Sequence, residues 1–391
     1  MRGRPPTTSW ARSAWLVVVG ATCISACEPE NPLDSAIQPP TAASRVGEIL
    51  APSGDAGFAH ATVPRPFEFP RDHGPHPEYR HEWWYVTGHL DGAARERFGF
   101  ELTFFRLALA PPAERAAGGS SWRTRQIYVA HFAVTDIARR RFHSAERRSR
   151  DALGLSGAQI EPVRIWLDDW TLTADREAAV WHLHAGEHPL RLDLELRTRK
   201  PPVANGTQGL SRKSAQAGNA NFYYSIPRLE VRGELDRGEG PVPVSGTAWI
   251  DREWGTGGLA PNQQGWDWFG LQLRDGSELM FYALRRRDGS RDPFSAGTWI
   301  DRDGGAWPLA NTEVEIEVGA HWSSRLGGRY PARWRLRVPR FALDLDIRPA
   351  LADQELDTTP RYWEGAVDVI GTRAGAQVDG RGYVELTGYA N

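Results

Sequence analysis

The sequence predicts an all-β protein whose antiparallel strands close into barrels, and three observations carry that prediction. From Phe67 onward, apolar and polar residues alternate with period two along most of the chain, the pattern of strands with one buried face. Asp-Gly pairs at Asp91-Gly92, Asp275-Gly276, Asp288-Gly289, Asp303-Gly304 and Asp379-Gly380 supply the positive φ that tight hairpin turns demand. Long amphipathic helices are nearly absent, the best candidate being a short piece near Ala145 to Leu153. Many strands joined by short turns form sandwiches or barrels, and closure into a barrel removes exposed edges.

The N-terminus reads as a processed segment. Arg2, Arg4 and Arg12 precede the apolar run from Ala14 to Thr22, which is too short to span a bilayer and reads as an export signal. The run ends in Ile24-Ser25-Ala26-Cys27, which resembles the lipobox of bacterial lipoproteins. That resemblance implies removal of residues 1–26, lipidation of Cys27, and a membrane partner reached through the lipid anchor, on the periplasmic face of the inner or outer membrane. Ordinary cleavage with Cys27 incidental leads equally to export, into the periplasm or beyond. Residues 28–66 are rich in Pro, Ala and Ser without periodicity, and predict a flexible tether.

The strands follow in order. Phe98 to Phe104, Arg191 to Arg197, Glu313 to Val318, Trp334 to Val338 and Phe341 to Ile347 all alternate. Lys200 to Asn221, rich in Pro, Gly and Asn, interrupts them, and because Phe222-Tyr223-Tyr224 follows at once it reads as an ordered loop close to a cavity. A Gly/Pro/Asn/Gln-rich stretch from Gly255 to Gln264 divides two expected domains, 67–257 and 258–391.

Composition narrows the function classes. The two cysteines are Cys23 and Cys27, so the chain beyond the signal has no thiol for a disulfide, a thiolate metal site or a Cys nucleophile. A formal charge of −2, made more negative once the three signal arginines are lost, argues against a nucleic-acid partner. No G-x-S-x-G elbow, Walker loop, G-x-G-x-x-G or H-E-x-x-H occurs, and His81-Glu82 runs on as Trp83-Trp84-Tyr85 without a second histidine. His73, His76 and His81 lack a recognised ligand spacing, so neither a metal nor a cofactor is expected. Seventeen Trp, ten Tyr and fourteen Phe, by contrast, supply large rigid surfaces for a core or for the wall of a hydrophobic small-molecule site.

What chemistry the chain carries sits in aromatic-plus-charged blocks: Tyr79 to Gly88, Trp249 to Gly255 with Gly265 to Phe269, Asp353 to Glu355 with Tyr362 to Gly365, and Gly382 to Tyr389. In a strand, Asp251 and Glu253 share one face while Arg252 and Trp254 share the other. These blocks, with Gly209-Leu210-Ser211-Arg212-Lys213 and Asn221 to Ser225, resemble the lipocalin-like family of AttH proteins and carotenoid 1,2-hydratases, often labelled predicted secreted hydrolases.

The resemblance implies two lipocalin-like β-barrel domains with a ligand cavity in or between them. It further implies a hydro-lyase that adds water across a C=C bond of an isoprenoid or lipid-like molecule. Such chemistry needs an acid, a pocket tolerating a carbocation, and a placed water. The candidate acids are Asp251, Glu253 and Asp267, and the candidate aromatic wall is Trp254, Trp266, Trp268 and Tyr282. The hydratase branch carries a His where this chain has Arg252 and an acid where it has Ala283, so Trp254 and Tyr282 are the positions that carry over. His81, Glu82, Trp84, Tyr85, Lys213, Tyr224, Arg252, Glu355 and Trp363 complete the candidate ligand contacts. Competing readings are a carrier of an apolar ligand, a secreted hydrolase, and, for Asp251-Arg252-Glu253, an ion-pair network bracing the domain junction.

Overall fold

In the computed structural model, residues 55–116 and 124–390 are described and fall within one compact unit. The expected signal, Cys27 and most of the expected tether lie outside the described residues. Two antiparallel sheets carry the fold. The first runs in the order Arg141–Arg150, Gln126–Asp136, Arg97–Ala108, His81–Asp91, Pro241–Gly255, Ala220–Asp236, Leu190–Thr198, Val180–Glu187, Trp170–Ala174, Val163–Leu167 and Ser156–Ile160. It curls into a nearly closed barrel. The second is a half-barrel built around Gln263–Leu273, Glu278–Arg286, Ala376–Leu386, Tyr362–Arg373, Leu343–Pro349 and Arg329–Val338.

Period-two patterning explains each interior. Leu192, Leu194 and Leu196 are buried in the first barrel while Arg191, Asp193 and Glu195 face out. Leu343, Leu345 and Ile347 fill the second. Arg97–Ala108 behaves differently, because both of its faces are covered. Phe98, Phe100, Leu102 and Phe104 enter the first core, whereas Gly99, Glu101 and Thr103 are buried on the other side. The second sheet rests there: a Cβ at Gly99 would come within 2.6 Å of the Ala366 Cβ and 2.7 Å of the Tyr383 hydroxyl, so glycine permits the close approach.

Outer faces therefore join the two sheets. His89 Nε2 donates to the Gly382 carbonyl at 2.8 Å, Thr135 donates to Gln354 at 2.7 Å, and Gln272 donates to the Pro227 and Ala248 carbonyls at 2.8 and 2.9 Å. Lys200 and Arg228, from the first sheet's side, clamp buried Glu278 of the second at 2.6 and 2.5 Å.

Several sequence expectations change. The stretch near Ala145 is an edge strand, Arg141–Arg150, whose arginines and serines suit an edge exposed to water. Gly276, Gly289 and Gly304 adopt positive φ as expected, but Gly380 lies inside Ala376–Leu386 and Gly92 is extended. The packed chain begins before Phe67: Phe58 and Ala61 are buried, and the Ala59 carbonyl accepts from Thr256 at 2.6 Å. An extended segment needs no periodicity to lie against a barrel. The loop from Lys200 to Asn221 is ordered, pairing Val203–Ala204 and Leu210–Arg212 with Ala220–Asp236.

Candidate functional site

Where the outer faces of the two sheets separate, they enclose a cavity of about 180 Å³, larger than the ~150 Å³ that accommodates benzene in an engineered apolar cavity. Strand alternation decides what enters it. From His81–Asp91 come Trp83 and Tyr85, and from Pro241–Gly255 come Asp251 and Glu253. The second sheet contributes Trp266, Trp268, Tyr282, Tyr362, Glu364 and Glu385.

One wall is a hydrogen-bonded polar network. The Asp251 carboxyl accepts from Ser225 at 2.5 Å, from the Trp249 indole at 2.7 Å and from the Tyr223 hydroxyl, which itself accepts from the Trp268 indole at 3.0 Å. Burial outweighs these bonds, and with the nearby Glu253 charge it pushes Asp251 up to about 7. Glu253 pairs with Lys213 at 2.8 Å and accepts from the Asn221 amide at 2.6 Å. The Lys213 ammonium lies 4.7 Å from the Tyr282 ring centre, and the Tyr282 hydroxyl is 2.9 Å from Ser211.

The facing wall carries carboxyls without cations. Glu364 and Glu385 are direct cross-strand neighbours. Glu385 is driven up to about 8 by burial, against a hydrogen bond from Trp266 and with the added repulsion of Asp251 and Glu253. Burial, then Glu385 and Glu101, hold Glu364 well above the usual carboxyl range. Tyr85 donates to Glu364 Oε1 at 2.6 Å, and its Oε2 is buried without a partner. Glu101, behind this pair, is also raised well above the usual range by burial. His131 borders the cavity with Nδ1 2.8 Å from the Tyr362 hydroxyl and Nε2 3.1 Å from Glu146. Burial lowers its pKa, so Nε2–H donates to the carboxylate and Nδ1 accepts from Tyr362.

The structure thus brings Tyr85, Lys213, Asp251, Glu253, Trp266, Trp268 and Tyr282 together and sends the other candidates elsewhere. Trp84, Tyr224, Arg252 and Trp254 point into the first barrel, because they have the opposite parity to Tyr85, Tyr223, Asp251 and Glu253. There Glu82 binds Arg106 and Arg252, the Arg252 guanidinium lies 3.8 Å from the Trp84 ring centre, and Trp254 stacks on His76 at 3.9 Å. Trp254 is therefore not part of the cavity wall. His81 is buried beside Trp83, its rings 5.7 Å apart, and does not border the cavity. Asp267 turns away into an ion pair with Arg285 at 2.8 Å and a bond from Tyr389 at 3.0 Å. Trp363 belongs to the second core, and Glu355 accepts from Tyr330 at 2.7 Å outside the cavity.

Sequence reasoning did not single out Tyr223, His131, Tyr362, Glu364, Glu385 or Glu101. Four of them sit one residue from apolar or aromatic neighbours in blocks that were recognised, so parity was available as a signal. The face that looks at the other barrel was not. Among the described residues, no group of three His, Cys, Asp or Glu side chains is arranged to hold a metal ion.

Fold and site together define a protein of one nearly closed barrel and one half-barrel with an aromatic, carboxyl-lined cleft between their outer faces. The chain belongs to the AttH-like family, which it matches over residues 60–389. It is similar to an AttH protein from Nitrosomonas europaea of known crystal structure, with 34% identity, a TM-score of 0.76, and coverage of 85% of this chain and 100% of that one. Kievitone hydratase from Nectria haematococca shares the fold at 15% identity and a TM-score of 0.63, over 85% of this chain and 96% of that one. A dehydratase, AsqC of Emericella nidulans, is 24% identical over 213 residues, which is 51% of this chain and 59% of that protein. The match thus spans less than two thirds of that relative.

Proposed function

We propose that this protein is a hydro-lyase that adds water to, or removes it from, an apolar isoprenoid or lipid-like molecule held in the cleft between its barrels. The observation that carries this reading is a set of carboxyls, Asp251, Glu364 and Glu385, that line one cavity beside aromatic faces, with burial raising their pKa values to neutral pH or above. Relatives named hydratase and dehydratase support the same class.

In dehydration, a carboxylic acid gives its proton to the substrate hydroxyl, the C–O bond breaks, and water leaves with the bonding pair. The carboxylate left by that transfer then takes the proton from the adjacent carbon, and the C–H pair becomes the new C=C bond. Hydration runs the same steps backwards, with proton transfer to the alkene and attack by water. Each aromatic face stabilises the intervening cation by about 0.5–2 kcal/mol. A cavity of about 180 Å³ takes in the reacting end of a long isoprenoid rather than its whole length. Export as a lipoprotein, through the signal ending at Ala26 and lipidation of Cys27, would place this cleft beside a membrane where such substrates dissolve.

The test is to incubate the purified protein with acyclic carotenes and shorter hydroxylated isoprenoids in ¹⁸O-labelled water and to follow product masses. The expected result is gain or loss of one water, with ¹⁸O in the hydrated product. Tight binding of these compounds with no mass change would overturn the enzyme reading and leave a carrier.

A further inference from the structure

The charge inventory of the cleft points to a ligand class that neither the family nor its relatives' names specify. Asp251, Glu253, Glu364 and Glu385 border the cavity, and against them stands Lys213, already paired with Glu253 at 2.8 Å. Lys213 is the one Lys or Arg side chain bordering the cavity among the described residues. The remaining surface is mostly aromatic or aliphatic, including Trp83, Phe105, Trp266 and Trp268, and its other polar side chains, Thr103, His131, Asn221, Thr359 and Thr387, carry no carboxylate and no Lys or Arg charge. An anionic ligand entering here would leave water to meet carboxyls and no uncommitted cation. A cation would meet ring faces and, at Glu364 Oε2, a buried carboxyl oxygen without a hydrogen-bond partner.

We propose that the cleft is a receptor for lipophilic cations: it binds an ammonium centre flanked by hydrocarbon in preference to an uncharged or carboxylate ligand of the same length. The site of the positive charge is the cavity surface of the second sheet, where Trp268, Glu385 and Glu364 are successive cross-strand neighbours and all border the cavity with Trp266. This rests on the hydro-lyase reading in one respect only, that an ammonium ion mimics the carbocation the reaction would form. The recognition itself follows from the lining. On binding, one carboxyl of the pair loses its proton to solvent and ionises beside the ammonium. The groups that set this balance are Glu101, Tyr85, Asp251 and Glu253 from the first sheet, and Glu364, Glu385, Trp266 and Tyr362 from the second.

The experiment measures binding of N,N-dimethyloctylamine, decan-1-ol and decanoate by quenching of tryptophan fluorescence and by calorimetry in two buffers of different ionisation enthalpy. The full-length protein is compared with Glu364→Gln, Glu385→Gln and the double variant. The amine is expected to bind at least about tenfold more tightly than the alcohol, decanoate more weakly than both, and amine binding to release a proton. In the double variant the amine's advantage disappears while decanol affinity is kept, which separates loss of charge recognition from misfolding. Equal binding of amine and alcohol by the wild-type protein, or tightest binding of decanoate, overturns the proposal. Neither result depends on turnover, so a failed search for a substrate and a failed charge preference remain distinguishable.

Discussion

The interior of the first barrel and the cleft between the barrels use the same residue types and arrive at opposite electrostatics. In the interior, Glu82 is gripped by Arg106 and Arg252 and accepts from the His76 backbone N–H at 3.1 Å. Burial alone would raise its pKa, but the two guanidinium charges hold it well below the usual carboxyl range. In the cleft, Glu364 is buried and Glu385 half-buried, neither has such a partner, and desolvation pushes both up. Indoles lie beside both. Burial supplies the same penalty in each place, and the presence or absence of a cation decides whether a carboxyl is a structural anchor or a proton reservoir.

The largest expected effect tests the anchor. Glu82→Ala leaves two arginines buried and uncompensated, so urea denaturation should show a loss of roughly 3–5 kcal/mol or a chain that does not fold. A variant of near wild-type stability would break the contrast from the interior side. Glu385→Gln should do the reverse, keeping the fold and lowering turnover of an identified substrate by about 10²–10⁴-fold. Unchanged turnover would remove Glu385 as proton donor and leave Asp251 or Glu364.

The pH dependence follows from the raised carboxyls. A buried acid whose folded pKa exceeds its unfolded value binds more protons in the native state, so its stabilising contribution is complete at low pH. For Glu385 that contribution falls from about pH 4.3, the unfolded value, to its folded value of about 8. Denaturation midpoints measured across this window should decline with pH, and the decline should be shallower in Glu385→Gln. Activity that needs the protonated acids should likewise fall as pH rises through about 7 to 8, the range set by Asp251 and Glu385.

The smallest expected effects sharpen the boundary between the regions. Trp268→Phe should weaken ligand binding with little change in stability. Trp254→Phe, which disturbs the stack on His76, should cost stability and leave binding unchanged. Tyr223→Phe removes one donor from Asp251 and should move the pH limb governed by that acid upward. Equal effects of Trp254→Phe and Trp268→Phe on binding would show that the two regions are not separate.

The amino-acid sequence by itself determined the strands, because period-two burial is local: Leu343, Leu345 and Ile347 could be assigned to one face with no knowledge of their neighbours. It also brought Asp251, Glu253, Trp266, Trp268 and Tyr282 into view, since a carboxyl or indole in a strand block is conspicuous wherever it points. Glu101 shows where local reading stops. In Phe98 to Phe104 it occupies the polar face of a regular alternation, the place of a solvated side chain, and yet it is fully buried. Only docking of the second sheet onto that face covered it, gave Glu364 and Glu385 a low-dielectric setting, and separated Trp254 from Trp268. Alternation assigns residues to two faces, but which face meets another sheet depends on contacts between segments far apart in the chain.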